Sequence, residues 1–500
     1  MAEKIGFPTL GDVAKELFDL LGFLANNRDT ARILPEEKDK KTLRRKLLRL
    51  AEEKYGLEGN LEYVLNVLGQ HLAKIIYHPL IAKAVARSFS DVLVQYTDLV
   101  KREGSFLSQK DTVEWAIRTR LLDRVVISYQ KYMLAFRLRS AGVQTPKERF
   151  WWLPDPEGQT TIWPLTKAFN WIYEETNTSR TRFHNPDGEN GDDSRHSNNF
   201  TNASRWMKAQ SLPSVWELQR NLDESVAALE VAKDEKYRRY IHGEQAKNFY
   251  LVLLIARLST VVFRRLEKVF GRELLVESVD YLRAQDINLA DEHRELEKLI
   301  GSYMSEVKVP EKDIEATWES EVNRHWTEKG KAVEYNCRRV ASLIERGAEK
   351  PDVFSDALSL EKYVGKFNAR SIANHSNYSK AVAPSDGYIE LLNSGFRLKN
   401  NSATIGDIQG LRSNVAETNF TAQLSWLVDW VEGDWYRKKG DLESAFSHYK
   451  NAFEAAQYVA GSYQYDLVNE FVEVCTQHNN SKDRKRGIAW ARYLGIPLAY

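Results

Sequence analysis

The chain is poor in cysteine, with only Cys337 and Cys475 in 500 residues. That excludes a disulfide framework and a cysteine-rich zinc site. It also lacks an excess of either charge. Lys and Arg number 71 against 70 Asp and Glu, a formal net charge of +1. Gripping nucleic acid through bulk charge, as a histone-like tail does, is therefore excluded, while a local basic patch is not. No apolar run is long enough to span a bilayer, which takes about 20 residues. The longest, Phe249 to Phe263, is interrupted by Arg257, Ser259 and Thr260 and closed by Arg264 and Arg265. It reads as a buried core helix. The first residues show no apolar signal core and no small-residue cleavage site, so a cytoplasmic protein without membrane contact is expected. Walker A, Rossmann glycine, G-x-S-x-G and H-E-x-x-H patterns are all missing. No cofactor and no metal are expected, and the reading leans away from an enzyme.

What is present is helical periodicity. Val13, Leu17, Leu20 and Leu21 fall on one stripe, as do Val64, Leu65, Leu68, Leu72 and Ile75. The pattern continues through 112–139, 214–232, 243–271 and 310–347, the last opened by Pro310 and closed by Gly347. Strand signals are few, so the expected fold class is all-α. With 11% aromatic and 28% charged residues the chain can bury a large core. The expected organisation is an N-terminal helical domain at 1–140, a Trp/Pro-rich segment with a polar flexible loop at 141–204, a central helical domain at 205–350, a polar linker region with short helices at 351–415, and a helical-repeat module at 416–500. The loop is read from Thr176 to Ser204, where only Phe183, Phe200 and Ala203 are apolar.

Residues 426–459 carry Gly433, Tyr436, Gly440, Ala445, Tyr449 and Ala452 in the small, aromatic, turn, small, aromatic and small places of a unit of about 34 residues. This stretch resembles a tetratricopeptide repeat. Glu432 stands where that repeat has leucine, and Gln457 where it has its closing proline. A further helix pair is expected at 463–494, and others before 426, because such units are stable only when stacked. The resemblance implies protein or peptide binding. Trp426, Trp430, Trp435, Tyr436 and Tyr449 are the candidate partner-binding residues.

Two shorter patterns suggest alternatives. In Asn202–Leu218, Arg205, Trp206, Ala209, Leu212, Pro213 and Ser214 resemble the recognition-helix end of a bacterial repressor-type helix-turn-helix. Its usual scanning helix is replaced by the polar stretch. The bland reading is a helix, a proline turn and a helix capped by Ser214. As a nucleic-acid surface, the candidates are Arg205 and Lys208 with Arg44, Arg45 and Arg49 of the basic run Lys38–Arg49. Arg370 and His375 have the spacing of the Arg and His of HEPN-type helical ribonucleases, whose pair meets across a dimer; the resemblance would make them catalytic, a cation beside the phosphate and an imidazole for proton transfer. His71 with His78, and Glu321 with His325 and Glu328, share helix faces and read as structural or ion-paired sets rather than metal ligands. The favoured expectation is a non-enzymatic adaptor for a protein partner, of the kind found as an accessory to bacterial multi-gene systems such as antiphage defence. A nucleic-acid-binding regulator and a ribonuclease are the alternatives.

Overall fold

The computed structural model describes residues 4–20, 79–139, 144–188, 194–345, 357–382 and 384–498, with 42, 45–46, 62–63, 65–67, 69–70 and 73 between the first two ranges. It is 78% helix and 2% strand, so the all-α expectation holds. Among the described residues no helix is long and apolar enough to cross a membrane.

The first helices are α1 (Leu10–Leu20), α2 (Pro79–Arg102) and α3 (Gln109–Ala116), the last capped by Ser108. A π-helical turn, Ile117–Leu121, joins α3 to α4 (Leu122–Arg139). A small antiparallel hairpin follows, β1 (Asp155–Glu157) with β2 (Thr160–Ile162), turning at Gly158, whose φ is +52°. Pro164 then opens α5 (Pro164–Glu175), where the missing N–H of proline costs nothing. Trp151, Trp152, Trp163 and Trp171 all enter the main core. Trp152 stacks on Tyr129 at 4.2 Å between ring centroids, and Trp171 meets Phe249 edge-on at 5.3 Å.

The stretch Thr176–Ser204 is not an open loop. It holds α6 (Arg180–His184) and most of α7 (Ser194–Met207), while 189–193 lie outside the described residues. Its few apolar groups are well placed. Ala203, Trp206 and Met207 share the buried side of α7 with Asn199. Its buried polar groups satisfy one another. His184 Nε2 lies 3.0 Å from the Tyr173 hydroxyl and Nδ1 2.8 Å from Ser225 Oγ, which itself donates to the Asn221 carbonyl. That network offsets the cost of burying them.

α7 ends in a left-handed residue, Ala209, with φ +49°. Ala209 N–H reaches the Trp206 carbonyl and Gln210 N–H the Arg205 carbonyl, a Schellman ending. α8 (Val215–Glu230) then starts from a capping box between Ser214 and Glu217. Next come α9 (Gly243–Phe270), α10 (Arg272–Val307) and α11 (Glu311–Glu345). α9 packs against α5, α8 and α10, and α4 lies against α10 and α11. Arg257, inside the apolar run, is buried and donates to the carbonyls of Pro213 and Leu20 at 2.6 and 2.8 Å. Burial lowers its pKa to about 10.

The second expected linker, 351–415, is also largely helical. It contains α12 (Ala357–Ala381, kinked at Gly365), α13 (Asp386–Asn400) and α14 (Ile405–Glu417). Several of its polar residues are helix caps: Ser385 on α13, and Thr404 with Asp407 as a capping box on α14. The chain finishes with α15 (Thr421–Lys439), α16 (Leu442–Ala456), a short 3₁₀ turn, α17 (Gln464–Gln477) and α18 (Ser481–Leu494). Gly440 and Asp441 alone join α15 to α16, so these two helices run antiparallel.

The helices from α13 onward are tied to the start of the chain. Phe7 N–H bonds the Tyr458 carbonyl, Ser105 N–H the Val459 carbonyl, and Leu10 N–H the Tyr458 hydroxyl. A Cβ on Gly104 would sit 3.1 Å from the Val459 carbonyl oxygen.

Candidate functional site

Arg370 and His375 lie on α12, five residues and therefore about 140° apart around the helix. Arg370 is exposed over the Tyr281 ring, while His375 is fully buried beside Trp115. Burial, with Arg120 nearby, holds the His375 pKa down to about 3. The two groups do not converge on one accessible point, so the ribonuclease pairing is not formed within this chain. Around them is a sealed polar core. Tyr281 donates to Asp123 Oδ1 at 2.7 Å, and Gln285 Nε2 lies within 3.3 Å of Asp123, Tyr281 and Ser371. Burial raises the Asp123 pKa, partly offset by hydrogen bonds from Tyr281, Ser371 and Gln285. The adjoining π turn directs Arg120 to Glu103 at 3.0 Å and Arg118 to Glu114 at 2.9 Å.

The candidate partner-binding residues are mostly interior. Trp426, Trp430 and Tyr449 are at most 2% exposed, and Trp435 and Tyr436 are half-buried. The reason is packing: these aromatics fill the space between neighbouring helices. Trp430 Nε1 and the Tyr449 hydroxyl both donate to Glu470 Oε2, at 2.7 and 2.8 Å, and Lys399 Nζ reaches Glu470 Oε1 at 2.8 Å. Tyr463, 42% exposed, stacks on Trp426 and presents the outward ring of this group.

On the other side of α15, Asp429, Glu432 and His448 bring ligand atoms within 4.8 Å of one another. By donor chemistry this set could hold a divalent cation. The Arg412 guanidinium already bridges both carboxylates, at 3.0 Å to Asp429 and 2.5 Å to Glu432, and Tyr436 stacks on His448. Burial pushes the Asp429 pKa up, but hydrogen bonds from His448 and Arg412 outweigh it and hold the group below its ordinary value. The arrangement is a satisfied ion-pair network.

Compared with known protein families, with curated proteins and with solved structures, the chain matches none.

Of the nucleic-acid candidates, Arg205 and Lys208 are exposed on the outer face of α7, in line with Asn198 and Thr201. The element between Arg205 and Leu218 is the helix, proline turn and capped helix of the bland reading, and the helix before it, α6, is only 5 residues long. Arg45 is exposed. Arg44, Arg49, His71 and His78 lie outside the described residues. Glu321 and Glu328 flank Arg324, and His325 turns instead to Glu292 at 3.0 Å.

Sequence reasoning passed over one surface. Between α8 and α9 the chain reads VAKDEKYRRYIH, and its cations are largely exposed. The signal was available, since basic and aromatic residues alternate there.

Proposed function

We propose that the chain is a non-enzymatic helical adaptor whose tetratricopeptide-like module holds a protein partner. The single observation that carries this is the close approach inside the α15–α16 hairpin. A Cβ on Gly433 would lie 2.9 Å from the Tyr449 ring and 3.2 Å from its backbone nitrogen. Ala445 and Ala452 are fully buried on the same helix as Tyr449. These are the small-against-aromatic places of the repeat. The neighbours support a stack. α15 packs on α13 and α14 as well as α16, and α17 lies between α16 and α18. Gly487 on α18 is a similar close approach, its would-be Cβ 2.6 Å from Val472 and 3.2 Å from the Phe471 ring.

The binding surface is then not the buried tryptophans but the ion-paired edge formed by Lys399, Arg437, Lys438 and Glu473 with the Tyr463 ring. Arg437 pairs with Glu473 at 3.1 Å, and Lys438 donates to the Lys399 carbonyl. An extended peptide carrying both signs of charge fits such a face, with Tyr463 as its anchor. The test is co-purification and crosslinking with the full chain. Tyr463→Ala and Lys438→Glu should each weaken a captured partner about tenfold, with circular dichroism confirming that both variants remain folded. Undiminished capture by both variants removes this reading.

A second reading, contact with nucleic acid, is favoured by the exposed Asn198, Thr201, Arg205 and Lys208 face of α7. Arg205→Ala with Lys208→Ala should lower binding to any DNA or RNA ligand, and binding should fall steeply with salt.

A further inference from the structure

The segment Val231–His242 is irregular, between α8 and α9. Irregular loops expose backbone carbonyls, and here arginine side chains answer them. Arg238 reaches the Ala232 carbonyl through Nε and a terminal nitrogen, at 3.2 and 3.0 Å. Arg239 reaches the carbonyls of Lys236 and Arg238, at 2.9 and 2.8 Å. A carbonyl is neutral, so these bonds fix each guanidinium without cancelling its charge. Arginine carries five donors, which leaves others free to point outward.

The carboxylates nearby are engaged on the backbone. Asp187 accepts from Lys233 N–H at 2.8 Å and Asp234 from Lys236 N–H at 3.0 Å. A backbone N–H is as neutral as a carbonyl, so Asp187, Asp234 and Glu235 keep their charges, three negatives against the six cations of α6 and this loop. Among the described residues, Arg180, Arg182, Lys233, Lys236, Arg238 and Arg239 form no ion pair. α6 joins this loop to α7. Arg182 lies 4.3 Å over the Tyr237 ring, and Arg180 lies 5.3 Å over the Phe200 ring. At the far end, Tyr240 is 74% exposed, braced edge-on by His242 at 4.9 Å. An exposed tyrosine beside cations in local excess is the pairing that holds single strands: cations for the phosphates and a ring for a base.

We propose that α6 and the loop Val231–His242 form a binding surface for single-stranded nucleic acid, with Arg180, Lys233, Lys236 and Arg239 facing phosphates and Tyr240 stacking a base. This deepens the nucleic-acid reading but rests on residues other than Arg205 and Lys208.

The experiment is fluorescence anisotropy with the full chain and labelled 20-nucleotide poly(U), poly(dT) and a 20-base-pair duplex. Lys233→Glu with Lys236→Glu should weaken poly(U) and poly(dT) binding about tenfold or more, and Tyr240→Ala about tenfold through lost stacking. Affinity should fall linearly on a log–log plot against salt, by about 0.7 per phosphate contacted. Circular dichroism melts confirm that the variants remain folded. The inference fails if no single strand binds in 50 mM salt, if these variants bind as the parent does, or if poly-glutamate competes as well as poly(dT). Binding lost with Arg205→Ala and Lys208→Ala but retained in the loop variants supports the α7 reading alone and overturns this one. The reverse outcome keeps this surface and rejects α7.

Discussion

The α15–α16 hairpin and the region from Thr176 to His242 are opposites. The hairpin has a legible sequence pattern, yet Trp426, Trp430 and Tyr449 face inward, the last two onto Glu470. The stretch 176–204 reads as polar and irregular, yet it folds around buried His184, and the loop 231–242 packed beside it leaves its cations outside. A spacing rule records packing, because only packed residues are held to a period. Exposed residues are free of that constraint, so a surface that grips a ligand leaves a weaker periodic trace.

The sharpest way to break this comparison is Gly433→Val. The added carbons must enter the Tyr449 ring, and overpacking of this kind costs about 3 kcal/mol. A thermal or urea melt reads it. An unchanged melt would mean that the glycine is incidental and the repeat pattern is not a packing record.

Acid stability comes next. Burial, with a smaller contribution from Arg180, lowers the His184 pKa to about 3, as burial and Arg120 do for His375. Above pH 6.5 both are neutral folded or unfolded, and neither adds pH dependence. As pH falls below 6.5 the unfolded chain takes up protons that the folded chain refuses. Stability is therefore lost between about pH 6.5 and 3, by about 2 kcal/mol per histidine at pH 5. Urea melts at pH 7 and 5 test this. His184→Gln should flatten the dependence by one histidine's share while lowering stability at pH 7. An equal slope in that variant would place the titration elsewhere.

A smaller effect is expected of Tyr449→Phe, which removes one of three donors to Glu470 and should cost about 1–2 kcal/mol in the same melts. If the tyrosine were instead a partner contact, stability would hold and capture would fail. The smallest effect on stability belongs to Lys233→Glu with Lys236→Glu. Both side chains are exposed, and the melt should move by less than about 0.5 kcal/mol. A large loss there would make the basic loop a structural brace.

The all-α class was legible because buried stripes repeat at the helical period. Helix ends were legible where punctuation is local, as at Pro310 before α11 and Ser214 before α8. The polar loop at Thr176–Ser204 was misread, and the helices of 351–415 are longer than expected, for a common reason. Ser, Thr and Asn mark both linkers and helix caps, and Ser385 and Thr404 are caps. In Thr176–Ser204 the signal lay across the chosen boundary, since Ala203 belongs to a stripe completed by Trp206 and Met207. Arg370 and His375 show the limit of a two-residue pattern. Sequence gives their spacing, but the helix turns one outward and the other into the core. The charge-neutral composition hid the basic loop, because ion pairs elsewhere remove their own cations from the balance.

Leu10 and Tyr458 are joined by a hydrogen bond across 448 positions. During synthesis, the opening residues emerge long before the carbonyls of Tyr458 and Val459 that will hold them. Phe7 and Leu10 must wait, unlatched, until Tyr458 leaves the ribosome. Closure of this latch follows the synthesis of α16, and a nascent chain halted before Tyr458 should be clipped by protease between Lys4 and Leu10 while a chain that includes Tyr458 and Val459 resists.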